Sequence, residues 1–273
     1  MKKVRYFKEF FRFIKHVYES RRLLLTLAQS DFKEQYLGSY LGAVWAFVRP
    51  LLFVTVIWFV FEIGFRSQPG VGEAPFILWL LCGFIPWFFF SDAVTKSMNA
   101  IVGNAFLVKK VAFRVSILPL VKITSAMYIH TVFIGFLMLL FLFYGLGPSL
   151  YWLQLPYYVA CSIVLVLGIG WLLSALRVFI KDVGEIVGVV LQLGFWFTPI
   201  FWSADNIPDE YKYLIKLNPM FYIIDGYRNT FINHVWFWEQ YRVTPYFLVT
   251  TGVLFIAGAV VFKRLRPHFG DVL

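Results

Sequence analysis

Long runs of apolar residues divide the chain into six segments, and polar or basic stretches separate one run from the next. The runs cover approximately residues 43–65, 76–95, 116–146, 155–178, 183–201 and 244–262. Each is nineteen residues or longer, and a helix of about 20 residues crosses a hydrocarbon core of roughly 30 Å. Apolar residues occupy every side of these segments instead of one stripe. The pattern predicts an all-α membrane protein with six transmembrane helices.

The distribution of basic residues predicts the orientation of these helices. An even number of spans places both termini on one side of the membrane. Eighteen Lys and Arg residues fall in the termini and the two connections on that side, against five on the other side. Since cytoplasmic loops are enriched in Lys and Arg, both termini are predicted to be cytoplasmic.

Composition agrees with this class and narrows the possible partners. The chain is 60% hydrophobic and 15% charged, with a mean hydropathy of +0.73. Its net charge of +10 fits contact with anionic membrane lipids, and no recognition module for nucleic acid accompanies it. Cys82 and Cys161 fall inside predicted spans without a paired-cysteine motif, so no metal site is expected.

Residues 1–36 form a distinct cytoplasmic region ahead of the six-helix domain, which is predicted over 37–266 with a short tail at 267–273. Apolar residues recur there at helical spacing, at Phe7, Phe10, Phe11, Ile14, Val17 and Tyr18, with basic residues between them. This pattern is typical of an amphipathic helix in the headgroup plane. The alternative is a helix that packs on a partner domain.

The predicted external segment 203–242 is longer than a connection between two helices requires. Two apolar pieces, 211–217 and 219–231, are each too short to cross a bilayer, and prolines and a glycine interrupt them. Such pieces predict re-entrant or interfacial helices. We expect them to form an outer gate.

No catalytic motif is present, and intramembrane charge is sparse. The sequence contains no P-loop, no nucleophile elbow and no metal-protease motif, so no cofactor is expected in this chain and no enzymatic activity is assigned to it. The energy for any transport would then come from another polypeptide. Arg49 lies deepest of the charged residues in the predicted spans and is expected to face protein or a polar path.

Aromatic residues make up 21% of the chain, more than the two interfacial belts of a membrane protein explain. Aromatic faces suit the apolar surface of sugar rings, although packing is the commoner role of any single aromatic residue. The candidate path residues are Arg49, Trp87, Phe89, Phe195, Trp196 and Tyr222. A second candidate surface is the basic and apolar loop between spans two and three, which suits docking on another protein; its residues are Val108, Lys109, Lys110, Val111, Phe113 and Arg114.

Ordered motifs resemble the membrane subunits of ABC-type polysaccharide exporters, which handle O-antigen, capsule or teichoic acid. The first is residues 36–52, with a Tyr, a Gly-containing turn, Leu-Gly, Trp and Pro-Leu. The others are residues 84–91, 107–113, 117–119, Lys181-Asp182, 197–200, Ile207-Pro208, 218–220 and Tyr227-Arg228. Arg114 and Arg49 depart from the usual residues at their positions.

The resemblance implies a homodimeric permease in a bacterial cytoplasmic membrane, working with two copies of a separate ATP-binding ABC subunit. That partner would bind ATP and magnesium, and the cargo would be a lipid-linked glycan. The external gate expected in segment 203–242 is assigned to Asn218, Pro219, Met220, Tyr227 and Arg228, which fall in the last of these motifs.

Two other functions remain open at this point. One is an ABC exporter permease of the same type for a drug or lipid. The other is a membrane-embedded glycosyl- or acyltransferase, although the acidic or histidine cluster expected of such an enzyme is missing from the sequence.

Overall fold

The computed structural model describes Lys15 and residues 18–35, 40–64, 74–109 and 114–273. Within those residues the chain folds into helices joined by short turns. The helices are α1 (Arg21–Glu34), α2 (Trp45–Trp58), α3 (Phe76–Met98), α4 (Ala105–Val108), α5 (Leu118–Phe143), α6 (Leu155–Phe179), α7 (Val183–Phe197), α8 (Asp209–Leu217), α9 (Pro219–Arg228), α10 (Val243–Leu265) and α11 (Phe269–Val272).

Five helical segments of the described chain are long and apolar enough to cross a membrane, which confirms the all-α membrane class. They contain α2, α3, α5, α6 and α10, and they range from 23 to 30 residues. The helix α2 continues as π-helix over Phe59–Gly64. The observed bounds lie within a few residues of those predicted from the apolar runs.

The fifth apolar run forms a shorter helix than its sequence predicted. α7 has 15 residues, or about 22 Å at 1.5 Å per residue, and ends four residues before the predicted boundary at Phe201. Pro199 explains the early end, because a proline disfavours helical geometry at the residue before it. Thr198 accordingly adopts extended backbone, with φ −85° and ψ 134°.

α3 is the central helix of the bundle. In its 18-residue apolar window 78% of the residues are buried, against 22% for the segment that contains α2. It packs against α5, α6 and α9. α6 and α10 pack closely on each other where Gly168 meets Gly258, since a Cβ on Gly258 would lie 2.0 Å from the Gly168 carbonyl oxygen. Small residues at such crossings let helix backbones approach in membranes.

The helix α1 packs on the start of α5, so this part of residues 1–36 lies against protein. Leu24 and Ala28 are buried against Ile117 and Val121, and Asp31 forms an ion pair with Lys122. Of the apolar residues that predicted a surface helix, Tyr18 is exposed and the others, at positions 7, 10, 11, 14 and 17, lie outside the described residues. Their predicted place in the headgroup plane stays a prediction.

The long helices alternate in direction along the chain, so their ends lie on two opposite sides of the bundle. We call the side that carries α1 and α11 the terminal side, and the side that carries α8 and α9 the re-entrant side. The C-terminal tail is packed at the terminal side, because the buried ring of Phe269 contacts Phe179 and Phe262. The two short helices predicted between spans five and six are present as α8 and α9.

Candidate functional site

A cavity of about 820 Å³ opens between α2, α3 and α7. Polar and aromatic side chains share its wall. The lining residues are Gln35, Gly42, Trp45, Ala46, Arg49, Pro50, Phe53, Phe84, Trp87, Phe88, Ser91, Asp92, Ile129, Leu191, Gln192, Phe195 and Trp196. Three helices therefore build one site, with single residues added by α5, by the turn after α1 and by the turn before α2.

Aromatic rings surround Phe195 in the middle of the wall. The centre of its ring lies 5.7 Å from that of Phe53, 6.2 Å from that of Trp87 and 5.7 Å from that of Trp196. Trp196 and Phe53 are 55% and 47% exposed, whereas Trp87 is buried. The exposed rings of Phe53 and Trp196 offer apolar faces to a ligand, and the buried ring of Phe195 contacts both of them.

The position of Trp87 depends on a glycine in α7. A Cβ built on Gly194 would lie 2.9 Å from the Cη2 atom of Trp87. This distance is shorter than an ordinary van der Waals contact, so only glycine leaves room for the indole in its observed position.

Polar residues line the part of the cavity nearest the terminal side. Arg49 comes from the first half of α2, and its guanidinium lies 5.6 Å from the Trp45 ring centre. Ser91 and Asp92 come from the last third of α3, where Asp92 pairs with Lys96 at 2.6 Å. Gln35, after α1, donates from its side-chain amide to Asp31 at 2.9 Å and lies 3.3 Å from the Ser125 hydroxyl. The cavity is thus polar at one end and aromatic farther in.

Four of the six predicted path residues line this cavity: Arg49, Trp87, Phe195 and Trp196. Phe89 does not, since its buried ring stacks on His130 at 4.5 Å between ring centres. Positions two apart on a helix point about 200° apart, so Trp87 and Phe89 face opposite sides of α3. Tyr222 lies elsewhere too, with its hydroxyl 3.0 Å from those of Tyr157 and Thr244.

The predicted gate residues lie in and around α9, which is packed into the protein. Asn218 caps this helix by accepting from the Met220 backbone N–H at 3.0 Å, and it donates to the Thr198 hydroxyl at 2.8 Å. Pro219 is the first residue of the helix and Met220 is buried. These contacts tie the start of α9 to the end of α7.

The last turn of α9 is fixed as firmly as the first. Tyr227 is fully buried, with its hydroxyl 2.9 Å from His130 Nε2. Arg228 is 6% exposed and donates to the Ile200 carbonyl oxygen at 2.9 Å. α9 is therefore fixed to the rest of the protein at both of its ends, on the re-entrant side.

The neighbouring helix α8 differs, because none of its residues is buried. Asp209 and Lys212 pair at 2.8 Å on its surface. The hydrogen bond from Lys212 lowers the pKa of the Asp209 carboxyl and raises the pKa of the Lys212 ammonium. Exposed tyrosines and leucines share this helix with the charges, as is typical of a helix at a membrane interface.

Half of the predicted docking loop lies outside the described residues, namely Lys110, Val111 and Phe113. Val108 ends the short helix α4 and packs partly against the core. Lys109 and Arg114 are exposed on the terminal side. The described part of the loop thus exposes basic side chains next to an apolar residue, Val108, that packs against the core.

The sequence interpretation missed several lining residues, among them Gln35, Trp45, Phe53, Ser91 and Gln192. Polar residues within an otherwise apolar helix are candidates for a functional site. By this criterion the sequence could have identified Gln192 in α7, and Ser91 and Asp92 in α3. Nothing in the sequence connects these positions, because the wall forms only when α2, α3 and α7 pack. Among the residues that the structure describes, no group of three or more His, Cys, Asp or Glu side chains is arranged to hold a metal ion.

Known proteins resemble the chain over two thirds of its length or more. An O-antigen export system permease protein RfbA of Klebsiella pneumoniae is 31% identical over 257 residues, or 92% of this chain and 95% of that protein. A protein of the same name from Myxococcus xanthus is 28% identical, over 95% of this chain and 98% of that protein. The polysialic acid transport protein KpsM of Escherichia coli is 24% identical, over 68% of this chain and 71% of that protein.

The sequence model of one transporter family covers most of the bundle described above, from α1 to the residues that follow α9. It is described as ABC-2 type transporter and matches residues 22–232. This match covers more than half of the chain, and the 31% identical relative agrees with it. The chain belongs to the ABC-2 type transporter family.

Proposed function

We propose that this chain is the transmembrane subunit of an ATP-driven ABC exporter that moves a lipid-linked polysaccharide out of the cytoplasm. Two relatives are named for O-antigen export and for polysialic acid transport, which supports a polysaccharide cargo of this class. The physical observation that carries the proposal is the cavity, which is polar at the terminal side and aromatic farther in.

An aromatic wall meets the requirements of a sliding glycan. A long polymer does not fit inside an enclosed pocket of ordinary ligand size, and tight binding at every position would stall its movement. The exposed faces of Trp196 and Phe53 contact sugar rings without fixing a pattern of hydroxyls. Each contact is weak, so successive sugars exchange places along the wall.

A second copy of the chain completes the conduit in this proposal. In one copy, Trp45, Arg49 and Trp196 line the cavity and are exposed. A homodimer that joins two such surfaces would enclose the polymer on all sides. The segment around α9 would close the outer end as a fixed wall, since its helix is held at both ends by buried polar contacts.

Energy would come from two copies of an ATP-binding ABC subunit, which hold ATP and magnesium. This chain would supply the docking surface around Val108, Lys109 and Arg114, together with Lys110, Val111 and Phe113. The excess of basic residues on the terminal side supports a cytoplasmic position for this surface. ATP hydrolysis there would shift the helices that border the cavity.

Replacement of one cavity residue in a deletion strain tests the proposal. We expect deletion of the gene to abolish surface polysaccharide and to leave lipid-linked glycan inside the cell, and the parental gene to restore export. Trp196→Ala should restore it only partly while assembling with the ATPase at the parental level. The matched control is Phe197→Ala, which removes a 74% exposed ring on the same helix that is absent from the cavity wall.

Two results would contradict the proposal. Normal surface polysaccharide in the deletion strain would exclude the exporter function. Full export by Trp196→Ala at normal assembly would exclude the aromatic wall as the path.

A further inference from the structure

Arg49 lies in the part of its apolar segment that is nearest the terminal side. The apolar segment that contains it runs from Gly42 to Gly64, and Arg49 is seven residues from its beginning, or about 10 Å at 1.5 Å per residue. The bilayer adds headgroup regions several ångströms thick to each side of a core of roughly 30 Å. The long side chain of arginine reaches that boundary from this position.

No carboxylate of the described chain lies within ion-pair distance of Arg49. The carboxylate that shares the cavity, Asp92, is already paired with Lys96. The aromatic ring of Trp45 is 5.6 Å from the guanidinium centre, and a ring quadrupole stabilises a cation without neutralising it. The cavity therefore carries an unneutralised positive charge next to apolar walls.

A hydrogen-bond donor shares the cavity wall with this charge. Gln192 lines it together with Arg49 and is exposed, and an amide N–H donates to anionic oxygens. The other polar lining groups are engaged within the protein, because Gln35 donates to Asp31 and Ser91 donates to the Phe88 carbonyl oxygen. A guanidinium binds phosphate through two parallel N–H···O bonds. The chemistry of the polar end suits a phosphate group.

The outer face of α2 offers a place for the apolar part of the same ligand. Leu52, Val56 and Phe59 are each about half exposed or more, and they follow Arg49 along the helix at positions three, seven and ten residues later. This spacing sets an apolar stripe beside the charge. A lipid whose phosphate contacts Arg49 would lay its chain along this stripe.

We infer that Arg49 is the binding residue for a phosphate group carried on a lipid, which reaches the cavity from the bilayer along α2. The inference rests on the proposed function, because it names the feature by which a lipid-linked cargo is admitted. It also explains how a wall that binds sugars weakly still receives cargo: the charged head is captured first, and the glycan then follows into the aromatic part.

Binding to the purified full-length chain, together with its ATPase partner, in nanodiscs of neutral phospholipid tests the inference. The probes are a long-chain alkyl phosphate, the alcohol of the same chain and inorganic phosphate. We expect the alkyl phosphate to bind at least about tenfold more tightly than the alcohol, since a charge-assisted bidentate contact is lost without the phosphate. Inorganic phosphate alone should bind weakly, because it lacks the chain.

Substitutions locate the site. Arg49→Gln should weaken alkyl phosphate binding at least about tenfold, while Arg49→Lys should retain part of it because the charge remains. Arg266→Gln is the control, since it removes an exposed charge from the terminal side and should leave binding unchanged.

Each result decides the matter. The inference is overturned if the parental chain binds the alkyl phosphate and the alcohol equally well, or if Arg49→Gln binds the alkyl phosphate as the parental chain does. The proposed function stays intact in either case, provided that the complemented strain exports polysaccharide. Tight binding of inorganic phosphate would show that the site does not require a phosphate carried on a lipid, and this too would overturn the inference. If deletion of the gene leaves surface polysaccharide normal, the proposed function fails whatever the binding shows.

Discussion

The guanidinium carbon of Arg228 lies 3.5 Å from the centre of the Trp79 ring. The same guanidinium donates through Nη2 to the carbonyl oxygen of Ile200, in the chain segment that follows α7. One buried side chain therefore joins α9, α3 and the irregular segment after α7 on the re-entrant side. A buried cation is stable only where such partners replace water.

Loss of this contact should destabilise the re-entrant side. We expect Arg228→Met to lower the stability of the purified chain by about 2 kcal/mol or more, because the cation–π contact and a charged hydrogen bond are both removed. Trp79→Phe should cost less, since an aromatic face remains. Thermal unfolding in detergent, followed by size-exclusion chromatography, measures both. Equal unfolding temperatures for Arg228→Met and the parental chain would show that the buried guanidinium contributes nothing.

A methyl group on Gly194 should narrow the cavity and reduce export. The Cβ of Gly194→Ala would lie 2.9 Å from the Trp87 ring, so the indole must move against Phe195 or into the cavity. We expect export to fall several-fold at normal assembly, measured as surface polysaccharide per copy of the complex. Gly188→Ala is the control on the same helix, because a Cβ there meets no atom within 4 Å; the two variants should differ.

A methyl group where α6 and α10 cross should prevent normal folding. The Cβ of Gly258→Ala would lie 2.0 Å from the Gly168 carbonyl oxygen, and a backbone atom cannot turn away as a side chain does. The two helices would have to separate, which loses packing along their whole contact. We expect little folded protein on size-exclusion chromatography. Gly252→Ala, on the open side of α10, should fold normally, and a normal yield of Gly258→Ala would contradict the close crossing.

Reversal of the charges of Asp31 and Lys122 should show how firmly α1 is attached. Lys122→Asp alone places two carboxylates together, and Asp31→Lys alone places two ammonium groups together, so both should release α1 and increase its cleavage by protease. The double variant restores opposite charges and should recover part of the protection. Limited proteolysis of the membrane-embedded protein measures this. If each single variant is as protected as the parental chain, the apolar contacts of Leu24 and Ala28 hold α1 alone.

The apolar runs by themselves determined the membrane class and the positions of most helices. A segment such as residues 155–178 is helical in any arrangement of its neighbours, because unpaired backbone groups are too costly in hydrocarbon. The early end of α7 could have been predicted in the same way, since Pro199 restricts the residue before it whatever surrounds it, although the apolar run continues to Phe201. The cap of α9 by Asn218 belongs to the same group, as it depends on atoms two residues apart.

Tertiary structure alone decided which of the aromatic residues share a cavity. Trp87 and Phe89 are equally aromatic in the sequence, yet one lines the cavity and the other stacks on His130, because the packing of α3 selects the face that each presents. Trp45 and Arg49 share a cavity with Trp196 only after α2 and α7 approach the same side of α3. Contacts of this kind join residues more than a hundred positions apart, and their pairing depends on the shapes of whole helix faces that no local pattern records.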